Sequence, residues 1–545
     1  MQPSTLAKRV TLLLFLGIIV FYLYGLGHLP LLGPDEPRYA QVAREMFLRG
    51  DFVTPTLGGH TWFEKPALLY WLMMISYKLF GVSEWSARLG PALCGLLTIA
   101  AVWTVGRRLQ SEAHEELGFW SALIAATTFG LIVFARAASF DVVITMTTAW
   151  ALSFFIRQEL ANDRRAKRLL LAGFYCFVGL SLLAKGLVGI VIPFGVVTFY
   201  YLVKRRWPGK DVLLSLVWGI PLAVVVASLW YGPVIARHGW TFIDEFFIQH
   251  HLNRFVSNKY HHPQPAWFFP VIALMLVVPW SPFLVDALMR VRRWQWRSTD
   301  SLNSTRVFSL VWLLLPVAFF SLSGSKLPGY ILPVLPAAVL LISERVTFVE
   351  SLTTPRWPLR ASAVLCLLLA TVGVVYAANT HSFTVGCAVA AGVPLLLAGA
   401  FALVTKSQSK NAVIALALSC LLSLVVVLNC AAPSLAQRDS VRDLLKLGAA
   451  RGYANAPVIA QKGDDRSAEF YASGRVVYGP DGEPRTIDEL TTTDLKKLGD
   501  RVLVFVPVEY VEQFRVLPHV EVIGDNGRTV LLGWTTGGTA ETQRK

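Results

Sequence analysis

Long runs of apolar residues recur along most of this chain and leave little choice of fold. A helix needs roughly 20 such residues to cross the hydrocarbon core of a bilayer. Backbone in lipid must also satisfy its own hydrogen bonds, which a helix does within one segment. On that criterion about thirteen spans are expected, near 10–29, 84–106, 118–136, 140–157, 168–184, 186–203, 212–231, 266–289, 306–323, 329–345, 358–377, 383–404 and 411–430. Of the 545 residues 54% are hydrophobic and 16% charged, so a soluble globule is excluded. The expected fold class is a polytopic α-helical membrane protein. A lipid-linked sugar transporter would share that class, but it should repeat broken helices with charges near the bilayer midplane. Here the ionisable residues gather at the ends of spans, and no internal repeat is evident.

The net charge of +15 reports orientation before it reports a partner. "GRRLQSEAH", "RQELANDRRAKR", "KRRWPGK", "RVRRWQWRSTD", "SERVTFVESLTTPRWPLR" and "KSQSK" all fall on one face. That face is cytoplasmic by the positive-inside rule, the first run reads as an uncleaved signal anchor, and nucleic acid is not an expected partner. The opposite face holds the loops 30–83 and 231–265, three short turns and everything after Cys430. Acids, histidines and isolated lysines lie there, so the chemistry is expected outside the cytoplasm. The six cysteines show no CxxC and no Cys/His zinc spacing, and they read as small buried hydrophobes without a disulfide framework.

From residue 431 hydropathy drops, and β-branched runs such as "APVIAQ", "RVLVFVPV" and "RTVLLGW" alternate with amphipathic stretches. The expected organisation is a membrane domain over 1–430 and a small α/β domain over 431–545. The latter contains neither a Walker A sequence nor GxGxxG, so no nucleotide site is expected.

The first outer loop contains "GPDEPRYAQVAREMFLRGD". Pro37 suits a first helical turn, Asp35 or Glu36 can cap it, and Gly50 can end it. Tyr39, Ala43, Met46 and Phe47 share one face, as in a helix lying in the membrane interface. "EKPALLYWLMMISYKLFG" is too short to span comfortably and also reads as interfacial.

Together with "PDEPRYAQVAREM", the segments "GDFVTPTLGGHTWFEKPALLYWL", "RAASFDVVITMTTAW" and "SGSKLPGYILPVLPA" resemble signature segments of the aminoarabinose transferase family. That family is related to the protein O-mannosyltransferases among the GT-C glycosyltransferases. The resemblance implies transfer of 4-amino-4-deoxy-L-arabinose from undecaprenyl phosphate to lipid A phosphates, at the periplasmic side of the bacterial inner membrane. A lipid-linked donor would serve without a further cofactor. Transfer of another polyprenyl-linked sugar, or to a protein hydroxyl, is the alternative within the same enzyme class.

Each candidate residue has a structural alternative. Asp35 matches the family's first-loop motif and leads the catalytic candidates, although it could only cap a helix. Glu64 and Asp141 are the other candidate acids; the first could pair with Lys65, and the second could complement a helix N-terminus. Arg38, Lys65, Lys185 and Lys326 are candidate substrate-binding cations, and Tyr330 is a candidate hydrogen-bond donor to phosphate. Snorkelling for Lys185 and a proline-broken helix around Lys326 and Tyr330 are the alternatives. The family resemblance makes Arg254 a phosphate ligand. The pairs His250/His251 and His261/His262 lack nearby cysteines and any standard spacing, so no metal is expected.

Overall fold

Helices form where the apolar runs are long enough. The computed structural model describes residues 5–109, 116–253, 264–350, 355–405, 409–460, 466–486, 492–515 and 519–536. Among them nine helices are long and apolar enough to cross a membrane, from Glu84–Arg108 to Lys410–Arg438. Two further expected spans are bent. Leu117–Thr127 and Phe129–Ala135 meet at 61°, and Phe268–Leu276 and Ser281–Arg293 at 119°. Counting each pair as one span gives eleven. The first bend follows from Thr128, whose backbone is extended (φ −74°, ψ 132°). The second contains Pro279, which cannot donate a helical hydrogen bond. Leu12–Leu23 and Val188–Lys204 are apolar helices of lesser length.

The described chain divides into two compact units. One comprises Met1–Tyr24, Phe63–Leu72 and Arg88–Val427. Its helix Phe140–Glu159 is buried on nearly every face and packs against Arg164–Lys185. Trp120, Trp230, Trp280 and Trp312 are fully buried. Their polar edges are satisfied where burial demands it: Trp280 Nε1 donates to Thr127 Oγ1 at 3.1 Å and Trp312 Nε1 to the Pro333 carbonyl at 2.8 Å. Asp286 is held by Arg345 at 2.7 Å and Arg290 at 3.3 Å.

The other unit comprises Gly25–Trp62, Met73–Ala87 and Leu428–Lys545. It contains a two-stranded hairpin, β1 (Thr56–Leu57) and β2 (His60–Thr61), and a four-stranded sheet. The sheet is made of β3 (Val458–Ile459), β4 (Arg501–Pro507), β5 (Val520–Asp525) and β6 (Thr529–Thr535), in the order β3-β4-β6-β5. β3 runs parallel to β4, and the other pairs are antiparallel. Leu503, Phe505 and Leu531 pack in one cluster, while Val502, Val504, Leu532 and Trp534 pack in another. Coverage on both faces explains why "RVLVFVPV" is apolar throughout and does not alternate.

One expectation is corrected here. Cys387 and Cys430 are disulfide-bonded, whereas Cys94, Cys176, Cys366 and Cys420 are free. Each lies on a long apolar helix, Val385–Val404 and Lys410–Arg438, where no CxxC-type local spacing could announce a disulfide.

Candidate functional site

The first-loop corner becomes the helix Asp35–Arg49. Glu36 Oε2 accepts the Leu32 N–H at 2.9 Å, which ties the approach of the chain to the first turn. Gly50 ends the helix at φ +64°, a conformation that glycine adopts without Cβ strain, and its N–H reaches the Phe47 carbonyl at 3.1 Å. Tyr39, Val42, Ala43 and Met46 form the buried face. One turn of helix sets Arg38 against Asp35 at 2.6 Å. The Arg38 guanidinium also lies 5.1 Å from the centre of the Trp62 ring. Its side chain is 14% exposed and that of Asp35 53%. The corner therefore presents a carboxylate outward from a largely buried cation.

The second group forms around the start of Phe140–Glu159. Ser139 caps that helix by accepting the Asp141 N–H at 3.1 Å. Lys185 is the last residue of Arg164–Lys185, which Gly186 terminates at φ +70°. The two ends meet: Lys185 Nζ donates to Asp141 Oδ1 in a close ion pair. The same ammonium lies 4.7 Å from the centre of the Tyr330 ring. Tyr330 is carried by the 3₁₀ turn Pro328–Val334.

Gly329 allows this approach. A Cβ there would stand 2.6 Å from Asp141 Cγ and 2.8 Å from Phe134 Cε1. Phe134 carries no signal in the sequence, whereas Pro-Gly in "KLPGY" is a legible turn signal at Gly329.

Glu64 and Lys65 pair at 2.7 Å, with side chains 11% and 14% exposed. Thus each candidate acid (Asp35, Glu64, Asp141) is joined to a candidate cation (Arg38, Lys65, Lys185). Lys326 differs. It is buried and has no ion-pair or hydrogen-bond partner among the described residues. Arg254 lies outside the described residues, as do His261, His262 and the side chains of His250 and His251. Among the described residues no three His, Cys, Asp or Glu side chains group to hold a metal.

A sequence profile described as dolichyl-phosphate-mannose-protein mannosyltransferase matches residues 64–231, which include Glu64, Lys65, Asp141 and Lys185. An undecaprenyl phosphate-α-4-amino-4-deoxy-L-arabinose arabinosyl transferase 2 of Pseudomonas fluorescens is 33% identical over 62% of this chain and 60% of its own length. A Pseudomonas aeruginosa enzyme of that name, without the number, is 34% identical over 60% and 58%. This chain is thus similar to these arabinosyl transferases over about three fifths of its length. The match spans about three fifths of the length of these curated relatives. Over nearly the whole chain the fold is that of ArnT from Cupriavidus metallidurans, solved bound to undecaprenyl phosphate. The TM-score is 0.79 and the identity 24%, with 97% of this chain and 98% of that one covered. The helical membrane fold of that protein is therefore the fold of this one.

Proposed function

We propose that this protein is an integral membrane glycosyltransferase. It moves 4-amino-4-deoxy-L-arabinose from undecaprenyl phosphate to lipid A phosphates and so contributes to resistance against polymyxin and other cationic antimicrobial peptides. It works in the bacterial inner membrane with its site facing the periplasm. Thirteen crossings in 1–430 count the bent pairs and the two shorter apolar helices as spans, and 431–545 is a periplasmic α/β domain. The observation that carries the proposal is the Asp141–Lys185–Tyr330 cluster, with Lys326 four residues before Tyr330, in a relative of arabinosyl transferases.

In the reaction the bond between the sugar's C1 and the donor phosphate oxygen breaks, and its electron pair leaves with undecaprenyl phosphate. A new bond forms from C1 to an acceptor oxygen. Cations placed where charge accumulates on the leaving group lower the barrier. Lys326, Lys65, Lys185, Arg38 and Arg254 are the cations proposed for this role, with Tyr330 as hydrogen-bond donor. A phosphomonoester has a second pKa of about 6, so near neutral pH it is a nucleophile without help. Asp35 then orients the acceptor, stabilises positive charge at the sugar or binds its ammonium. No cofactor beyond the lipid-linked donor enters the scheme.

The test incubates purified protein with undecaprenyl-phosphate-linked aminoarabinose and either lipid A or the same lipid A stripped of phosphate. Only the phosphorylated acceptor should gain sugar by mass spectrometry, and the product should lose it in mild acid. The profile match to protein mannosyltransferases favours a second reading, transfer to a protein hydroxyl, which would require a general base such as Asp35. Sugar appearing on a serine/threonine peptide would establish that reading and overturn the first.

A further inference from the structure

The corner that carries Asp35 is held from a segment more than 400 residues later in the chain. Tyr471, the last residue of the short helix Ser467–Tyr471, accepts the Leu31 N–H on its hydroxyl at 2.8 Å. The same hydroxyl donates to Glu84 Oε1 at 3.1 Å, and Arg442 donates to that oxygen at 3.3 Å. Arg44, on the helix Asp35–Arg49, donates to the Phe470 carbonyl at 3.3 Å and to Ser473 Oγ at 2.9 Å. Further along, the Tyr478 ring lies so close to Gly58 that a Cβ there would stand 2.6 Å from Tyr478 Cγ. These ties engage the approach to Asp35, the middle of its helix and the hairpin after it.

The junction also has an electrostatic centre. Glu469 is 2% exposed and pairs with Arg466 at 2.5 Å. Arg466 in turn reaches Glu483 at 2.9 Å. Burial raises the Glu469 carboxyl above the usual carboxylate range, while the positive charges of Arg466 and then Arg38 work against that rise and Glu483 adds to it. Glu469 thus sits in the field of Arg38, the residue that grips Asp35.

We infer that the segment from Ser467 to Tyr478 is the positioning element for the Asp35–Arg38 corner, with Tyr471 and Glu469 as its positioning residues. The inference rests on the reading of Asp35 as a substrate-contacting group. A carboxylate on an outer loop meets a reacting sugar in one geometry only if its loop is immobilised, and misplacement by about 1 Å costs about a hundredfold in rate. The hydrogen bond from Leu31 and the two from Arg44 supply that restraint on either side of Asp35.

The experiment uses the full-length protein with lipid-linked aminoarabinose and lipid A, and counts active molecules by undecaprenyl phosphate titration. Tyr471→Phe keeps the ring and removes both hydrogen bonds. It should lower kcat per carrier-binding site about tenfold with the donor KM within twofold, and this penalty should shrink in an Arg38→Lys background. A merely structural role would reduce the number of binding sites and leave kcat per site unchanged. Should Tyr471→Phe not fold, Arg44→Lys is measured against the same two criteria. Unchanged kcat per site in the positioning variant, with Asp35→Asn inactive, overturns the inference alone. A fully active Asp35→Asn overturns the reading of the corner itself.

Discussion

Gly329→Ala tests the Asp141 cluster with a single methyl group. The added carbon would begin 2.6 Å from Asp141 Cγ and 2.8 Å from Phe134 Cε1. Carbon atoms rest at about 3.5–4.0 Å, so the carboxylate or the 3₁₀ turn must give by about 1 Å. Neither yields easily. Asp141 is anchored by its helix N-terminus and by Lys185, and Gly329 is followed by buried Ile331 and Leu332. Overpacking of this kind costs about 1–3 kcal/mol of stability. The effect on turnover should be larger, about a hundredfold, because a shift of that size at reacting groups costs about that much. Initial rates of aminoarabinose transfer are read by mass spectrometry, beside thermal stability in detergent. Gly373→Ala is the control, since a Cβ there meets nothing within 4 Å. Turnover in Gly329→Ala within threefold of the parent would refute the argument that Asp141, Lys185 and Tyr330 form a working constellation.

Three further outcomes are expected. Asp141→Asn and Lys185→Met should each lower the melting temperature, because each leaves a largely buried charge without its partner, while the double variant should lose less than the sum; strict additivity would deny the pair. Glu469 has its pKa raised by burial, so its contribution to stability is present below the usual carboxylate range and is lost as pH rises through the raised value. The stability of the parent relative to Glu469→Gln should therefore shrink on going from about pH 4 toward neutrality, followed by thermal unfolding; a difference that grows with pH would reverse the assignment. Finally, with the four free cysteines replaced, Lys497→Cys should react with an impermeant thiol reagent from outside and Thr299→Cys should not; the opposite pattern would invert the membrane orientation.

By itself, the sequence determined those features that depend on neighbours within a few residues. Apolar runs of bilayer length became helices, and the charge and glycine signals of "GPDEPRYAQVAREMFLRGD" became a helix ended by Gly50. "RVLVFVPV" became β4 and "RTVLLGW" became β6. β5 escaped notice because its exposed, charged "VEVIGD" lacks an apolar run. The bends at Thr128 and Pro279 broke runs whose hydropathy is continuous. Only the tertiary structure decided which residues meet. Asp141 and Lys185 are 44 positions apart, and Leu31 and Tyr471 are 440 apart. The Asp141 pair depends on two helices ending side by side and on Gly329 leaving room for a carboxylate. The hold on the Asp35 corner depends on the chain returning to its own beginning. Local propensity acts over one or two turns of helix, whereas these contacts arise only when packing brings distant ends together. Residue chemistry alone could therefore nominate Asp141 and Lys185 without pairing them, whereas Arg38, three residues from Asp35, lay within local reach.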